Sequence, residues 1–164
     1  MKKKINRIAM NKVFIASDHG GYNLKQLIIS KMSSNQDFEL IDLGPYVFDP
    51  TDDYPDYAFM LARKVACTNG SLGILVCRSG NGMSIAANKV KGVYASLCCY
   101  KDQAVKARQH NNSNVLCLDA DYGGDDPLEI VKLFIESKFE ENEVRHVRRF
   151  RKIQNFESQA GNND

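Results

Sequence analysis

Residues 74–89 read ILVCRSGNGMSIAANK, and they run from an apolar strand through a glycine-rich loop into a helix. Residues 72–76 form a short apolar run typical of a strand buried in a parallel sheet. Gly80 and Gly82 allow the backbone to turn tightly and to approach a ligand closely. Ligands of open α/β sheets bind outside the carboxyl ends of the strands, where the amides of a following helix attract negative charge. The stretch therefore predicts a cradle for a phosphate or an oxyanion.

Cys77 would lie at the lip of that cradle, at the carboxyl end of its strand. A thiol near the amides of a helix start is expected to ionise more easily than a free thiol, whose pKa is about 8.5. The alternative is that Cys77 is a small buried hydrophobic residue, as intracellular cysteines often are. Position alone leaves both interpretations open.

Strand-like runs alternate with helical patterns from Val13 onward. The strand-like runs are VFIA, FELIDL, GILVC, VYASLCC and VLCL, and the segments between them carry apolar residues at helical spacing. This rhythm predicts five parallel strands in a three-layer α/β/α sandwich. A basic helix near residues 145–159 has no strand after it. We expect a flexible basic tail over residues 1–11, a single domain over 12–159 and a frayed end over 160–164.

Composition narrows the class of protein. The chain has 164 residues, which is the size of one domain. Its formal net charge is +2, and positive and negative side chains are too evenly balanced for a protein whose main partner is nucleic acid or an anionic membrane. Five cysteines, an odd number, do not indicate a disulfide framework, and no cysteine or histidine spacing is typical of zinc. No apolar run is long enough for a signal peptide or a membrane span. A small-molecule partner in a reducing cytoplasm fits best.

Two of the three histidines lie in polar turns, His19 in SDHGG and His110 in RQHNN. Asp18 and His19 follow the first strand as Cys77 follows the third. Both loops should therefore open on the same edge of the sheet and could share one pocket. The structural alternatives are that Asp18 caps a helix and that His110 is simply a polar helix end.

Arg145 and Arg149 are four residues apart, so on a helix they project from one face and could grip a phosphate with forked donors. The alternatives are a solvated basic face or a nucleic-acid strip. The fragment DPTDDYPDYA places Tyr54 in a turn before a helix, where a ligand role for its hydroxyl is optional.

Taken together, SDHGG, DYPDYA, CRSGNGMSIAANKVKGVYA, ARQHNNSNVL and RHVRR resemble, in order and spacing, the ribose-5-phosphate isomerase B family, which includes allose- and galactose-6-phosphate isomerases. The signature, close to C-G-[ST]-G-x-G-x-S-I-x-A-N-K, is far more specific than a lone glycine-rich loop. The resemblance implies a Rossmann-like fold with strand order 2-1-3-5-4. Strands one and three are then neighbours.

The resemblance also implies an aldose–ketose isomerisation, ribose 5-phosphate to ribulose 5-phosphate in the leading interpretation, without metal or organic cofactor. By analogy, Cys77 moves a proton between C2 and C1 through a cis-enediolate, and Ser79 relays a proton between the sugar oxygens. The loop of residues 79–84 would hold the oxyanion, with Gly80, Gly82 and Ser84 as substrate-binding residues. Some relatives use a glutamate at the position of Met83 instead, so Cys77 is the candidate base here.

Further roles follow from the same resemblance. Asp18 and His110 would open the furanose ring, Asn111 and Tyr54 would hold sugar oxygens, and His19, Arg145 and Arg149 would bind the phosphate. Family sites form between two subunits, with the His110 segment coming from the partner. A homodimer or tetramer with shared active sites is therefore expected, with no nucleic-acid or membrane partner.

Two residues depart from the family pattern. Arg78 stands where glycine is usual, and Asp121 stands where an arginine usually contributes to phosphate binding; Asn112, where many members carry aspartate, is a milder change. We predict that Arg78 and Asp121 pair, because an unpaired Asp121 near a phosphate would repel the substrate. The alternative is that Asp121 points to solvent. These departures keep open an isomerase of a six-carbon phosphosugar, or a weakened sugar-phosphate-binding subunit of a hetero-oligomer.

Overall fold

The computed structural model describes residues 11–160. The strands are β1 (Asn11–Ser17), β2 (Phe38–Asp42), β3 (Leu72–Cys77), β4 (Ala95–Leu97) and β5 (Val115–Asp119). The helices are α1 (Tyr22–Met32), α2 (Tyr54–Ala66), α3 (Asn81–Ala87), α4 (Lys101–Asn111), α5 (Pro127–Glu136) and α6 (Val144–Ala160), and a single 3-10 turn covers His19–Gly21. All strand pairs are parallel, and their order is β2-β1-β3-β5-β4. The predicted fold class and strand order are confirmed.

The strands are apolar at successive positions because helices cover both faces of the sheet. In β1, Val13 and Ile15 pack into a core shared with α1, α4 and α5, whereas Phe14 and Ala16 pack into a core shared with α2 and α3. Ile74, in the central strand β3, is fully buried. Alternate residues of a strand thus point to opposite faces of the sheet, and each set packs against one of the two helical layers.

Several boundaries differ from the predicted ones. Asn11 begins β1 and pairs with Phe38, although the sequence assigned it to the tail. Residues 1–10 and 161–164, which carry the rest of the predicted tail and the frayed end, lie outside the described residues. Helix α5 ends at Glu136 because Ser137 has extended backbone, with φ −72° and ψ 146°. No helix among residues 11–160 has the length and apolarity needed to cross a membrane.

Helix α6 lies at the edge of the sheet where the strands begin, which we call the amino edge; the opposite edge is the carboxyl edge. Phe150 packs against Tyr94 and Phe139, with ring centroids 4.8 and 5.5 Å apart. Glu157 accepts hydrogen bonds from the Gly92 amide at 2.9 Å and the Tyr94 hydroxyl at 3.1 Å. These contacts attach α6 to the segment that leads into β4.

Lys25 is a fully buried lysine in α1. Its Nζ donates to both carboxylate oxygens of Asp42 at 2.8 Å and to the carbonyl of Pro45 at 2.9 Å. All three ammonium protons therefore have acceptors, which offsets the desolvation of the charge. The contact fixes the start of the loop that connects β2 to α2. This loop carries Asp52 and leads to Tyr54, the first residue of α2, at the carboxyl edge.

Candidate active site

The turn after β1 lies directly against the end of β3. The Asp18 amide donates to the Val76 carbonyl at 3.3 Å. A Cβ placed on Gly21 would lie 2.1 Å from that carbonyl oxygen, so only glycine allows this approach. The Asp18 carboxylate accepts from the Gly21 amide at 3.0 Å and caps the 3-10 turn, as the structural alternative proposed. The expectation that the SDHGG and Cys77 loops share one edge is confirmed.

Cys77 is 5% exposed, and its sulfur accepts a hydrogen bond from the Gly80 amide at 3.2 Å. Burial raises the pKa of the Cys77 thiol and the Asp18 charge adds to this, while the amides of Met83, Gly80 and Ser79 lower it by less. The predicted easier ionisation is therefore wrong for this state of the site. Burial also raises the pKa of the Asp18 carboxyl.

The loop after β3 wraps closely around the thiol. Gly80 has a φ of 71°, and a Cβ there would lie 2.4 Å from Leu97 Cδ1, so this position requires glycine on both counts. Ser79 Oγ accepts from the Asn81 amide at 3.4 Å. The Ser84 amide donates to the Gly80 carbonyl at 3.1 Å and is thus already used within the helix.

Tyr54 reaches the cradle from the first turn of α2. A Cβ on Gly82 would lie 2.8 Å from the Tyr54 ring, so the ring rests on the glycine-rich loop. Tyr54 is 41% exposed. The structure thus places the Tyr54 ring beside the glycine-rich loop.

His19 is held by Asp52, a residue that the sequence did not single out. Asp52 Oδ1 accepts from the His19 backbone amide at 2.9 Å and lies 2.7 Å from His19 Nδ1. This hydrogen bond is the main reason why the pKa of His19 is raised. The sequence gives little indication of this contact. Asp52 and Asp53 both precede Tyr54, and the loop conformation decides which of them faces His19.

Arg78 and Asp121 are in contact, as predicted. Arg78 Nη1 lies 3.0 Å from Asp121 Oδ2, and the two side chains are 66% and 40% exposed. The Arg78 side chain crosses Gly20, where a Cβ would lie 2.5 Å from its Cγ. Exposed ion pairs of this kind contribute about 0–1 kcal/mol to stability. The pair places a cation and an anion beside the cradle.

The other predicted site residues lie at the amino edge. His110 and Asn111 end α4, and the chain then enters β5 through Asn114, whose carbonyl accepts from Gly73 at the start of β3. Arg145 and Arg149 lie on α6 at the same edge and are exposed. Strands of five or six residues separate the two edges by about 15–20 Å. Within one chain these residues and Cys77 do not meet.

His110 packs on a second histidine that the sequence did not single out. The ring centroids of His110 and His146 are 4.1 Å apart with 33° between the planes. His146 is 3% exposed, and its Nδ1 lies 2.9 Å from Glu140 Oε2 but off the N–H direction, so the two side chains are in contact without an aligned hydrogen bond.

Donor atoms of His110, Glu140 and His146 lie within 4.8 Å of one another, a grouping that could hold a metal ion. A metal bonds in the plane of an imidazole ring, and two rings packed against each other do not aim their nitrogens at one point. We therefore interpret the cluster as the packing that orients His110.

Comparison with known proteins places this geometry in context. Residues 13–153 match the profile of the family described as Ribose/Galactose Isomerase. The probable ribose-5-phosphate isomerase B of Mycoplasma genitalium is 46% identical over 150 residues, which cover 90% of this chain and 97% of the relative. The crystal structure of ribose-5-phosphate isomerase B from Mycoplasma genitalium with bound ribulose-5-phosphate superposes with a TM-score of 0.83 at 46% identity, over 90% of this chain and 96% of that one. The structure of the type B ribose 5-phosphate isomerase of Trypanosoma brucei superposes with a TM-score of 0.82 at 42% identity, over 88% of this chain and 97% of that one.

Proposed function

The chain belongs to the ribose/galactose isomerase family, and on that premise we propose that it interconverts ribose 5-phosphate and ribulose 5-phosphate. The observation that carries this proposal is the buried Cys77 between the SDHGG turn and the glycine-rich loop, in a chain 46% identical to a protein crystallised with ribulose 5-phosphate. The reaction is an aldose–ketose isomerisation, which belongs to the pentose phosphate pathway.

Cys77 is the proposed base. The proton on C2 of the open-chain aldose is only weakly acidic, so its removal needs a strong base and stabilisation of the enediolate as it forms. Burial strengthens the base, because raising the pKa of the thiol means that the thiolate binds a proton more strongly. Backbone amides near the sulfur are the proposed donors that stabilise the enediolate. In the fraction of the protein in which Cys77 is ionised, the thiolate takes the proton from C2 and returns it to C1, while Ser79 passes a proton between the two sugar oxygens.

Ring opening and substrate binding use the remaining residues. Asp18, with its raised pKa, and His110 exchange protons with the ring oxygen and the anomeric hydroxyl. Tyr54 and Asn111 hold sugar hydroxyls, and His19, Arg145 and Arg149 bind the phosphate. No step in this scheme uses a metal or an organic cofactor.

The separation of the site residues supports a shared site. The half-site at the carboxyl edge contains Asp18, His19, Tyr54 and Cys77, whereas the half-site at the amino edge contains His110, Asn111, Arg145 and Arg149. A second copy that places its amino edge against the carboxyl edge of the first completes the site. We therefore propose a homodimer, alone or paired into a tetramer. All five cysteines are free, which fits a cytoplasmic location.

An isomerase assay tests the function. Ketose formation is measured from ribose 5-phosphate, with allose 6-phosphate and galactose 6-phosphate in parallel, using protein with and without chelator treatment. We expect turnover of ribose 5-phosphate that the chelator leaves unchanged. Turnover of only a six-carbon substrate would contradict the proposed substrate, and activity lost to the chelator and restored by a divalent metal would contradict the mechanism.

A further inference from the structure

The contact between His19 and Asp52 joins two loops of the carboxyl edge through one oxygen atom. Asp52 Oδ1 receives both the His19 amide, at 2.9 Å, and the His19 ring at Nδ1, at 2.7 Å. The Asp52 side chain is 6% exposed and the His19 side chain is 28% exposed. The carboxylate is thus buried behind a ring that remains open to solvent.

We propose that Asp52 is the positioning residue of the phosphate site, which holds the His19 ring in place as an imidazolium with Nε2–H left to bind the phosphate. The inference rests on the proposed function, in which His19 binds the phosphate of the substrate. It assigns to Asp52 a role that acts only through His19.

The protonation of the ring follows from what lies on each side of it. A carboxylate at Nδ1 accepts a hydrogen bond, so Nδ1 must carry a proton. A phosphate at Nε2 also accepts, so Nε2 must carry one too. A neutral imidazole has only one N–H, and only the imidazolium satisfies both partners. The Asp52 contact therefore prepares the ring for an anionic ligand before the ligand arrives.

Charges from each neighbouring segment act on the same ring. Asp18 at the end of β1, together with Asp49 and Asp52 in the loop before α2, favours the imidazolium, whereas Arg78 in the loop after β3 opposes it. Asp52 makes the largest contribution to the raised pKa of His19. Its second oxygen, Oδ2, is buried and has no hydrogen-bond partner among residues 11–160. The Tyr57 hydroxyl of α2 also faces this carboxylate, and burial followed by the Asp52 charge raises the pKa of Tyr57. His19 is the neighbour in contact with Asp52 that can carry a compensating positive charge.

The test compares Asp52→Asn with Asp53→Asn. Asparagine keeps an oxygen for the His19 amide but removes the charge, and Asp53 is an exposed neighbour whose side chain makes no capping hydrogen bond. The pKa of the His19 ring is measured by NMR, with His19→Gln to assign the signal. We expect the pKa to fall toward the ordinary value of about 6.5 in Asp52→Asn and to stay at the wild-type value in Asp53→Asn.

The kinetic readout is the KM for ribose 5-phosphate as a function of pH. At low pH the His19 ring is protonated in both the wild-type protein and Asp52→Asn. The ratio of the Asp52→Asn KM to the wild-type KM should therefore be near one. As pH rises through the two pKa values, the ratio should rise and level off at ten raised to the measured pKa difference. The kcat should stay within about twofold, because the phosphate does not react. In a His19→Gln background, Asp52→Asn should leave KM unchanged.

Three results would overturn the proposal: an unchanged His19 pKa in Asp52→Asn, a KM ratio independent of pH, or an equal KM effect in the His19→Gln background. Should Asp52→Asn fail to fold, the wild-type protein still decides, because the proposal requires a His19 pKa above the ordinary value of about 6.5, and an ordinary or lower pKa would overturn it. The NMR measurement needs no turnover. If the protein had no isomerase activity, the proposed function would be contradicted. The role of Asp52 could still be tested, because the His19 pKa can be measured by NMR and binding at Nε2 can be probed with inorganic phosphate.

Discussion

At the scale of single residues, Cys77 combines two opposing features. Burial disfavours its thiolate, whereas the amides of Met83, Gly80 and Ser79 favour it, and burial has the larger effect. A raised pKa means that the thiolate, once formed, is a strong base. This property suits the proposed proton transfer from carbon.

Replacement of Cys77 by alanine should lower kcat by more than about 100-fold and leave the affinity for ribose 5-phosphate nearly unchanged, because a base acts in the transition state and contributes little to ground-state binding. Turnover and direct substrate binding are measured on the same preparation. Cys67→Ala, at an exposed cysteine, is the matched control and should behave as wild type. A Cys77→Ala protein that kept more than about a hundredth of the turnover would exclude Cys77 as the base.

Arg78 and Asp121 should affect substrate affinity jointly, since their side chains touch at 3.0 Å. Asp121→Ala alone frees the Arg78 cation, and Arg78→Gly alone leaves an anion beside the phosphate site. We expect KM effects of opposite sign, with a coupling energy of about 0.5 kcal/mol, at the low end for residues in contact because both side chains are exposed. The double variant completes a double-mutant cycle, from which the coupling energy is calculated. Additive effects would show that the contact has no consequence for binding.

Residue contacts were predictable from the sequence where a neighbouring strand fixes them. Asp18 and Cys77 follow adjacent strands, so their proximity follows from the strand order that the family resemblance implies. The pKa direction of Cys77 was not predictable, because it depends on burial depth. Asp52 and His146 were missed because their partners are set by a loop conformation and by the packing of α6, neither of which leaves a periodic pattern in the sequence.

At the scale of elements, the direction of each helix decides which edge its residues reach. Helix α4 returns from the carboxyl edge to the amino edge, and this carries His110 away from Cys77 in the same chain. The βα rhythm predicts this direction. The lengths of β4 and α5 were less predictable, since only three residues of the apolar run VYASLCC pair in the sheet and Ser137 ends α5 through its backbone conformation.

The contact between the 3-10 turn and β3 should be sensitive to one added methyl group. A Cβ on Gly21 would lie 2.1 Å from the Val76 oxygen, so Gly21→Ala must push backbone apart and should lower the free energy of unfolding by about 3 kcal/mol. Gly70→Ala is the control, because it has a φ of 72° and nothing within 4 Å, so only backbone strain of about 1 kcal/mol applies. Urea unfolding at one protein concentration measures both. Equal losses would contradict the steric account.

At the scale of the whole molecule, the two proposed half-sites lie on opposite edges of one sheet. Mixing inactive Cys77→Ala with inactive His110→Ala protein should restore activity after subunit exchange, because a mixed pair contains one site with neither substitution. Random exchange of equal amounts gives about half mixed pairs, each with one of two sites intact, so about a quarter of the wild-type activity is expected by counting. Exchange is followed independently with a size or mass label. Exchange without recovered activity would place both residues in one subunit's site.

The division of the site also sets how the reaction responds to dilution. In the proposed dimer, a separated chain carries every proposed functional group and yet no complete site. Below the dissociation constant of the pair, the number of complete sites varies with the square of the chain concentration, so the observed rate becomes second order in protein rather than first order. The abundance of the protein itself would then act as a threshold for flux through the reaction.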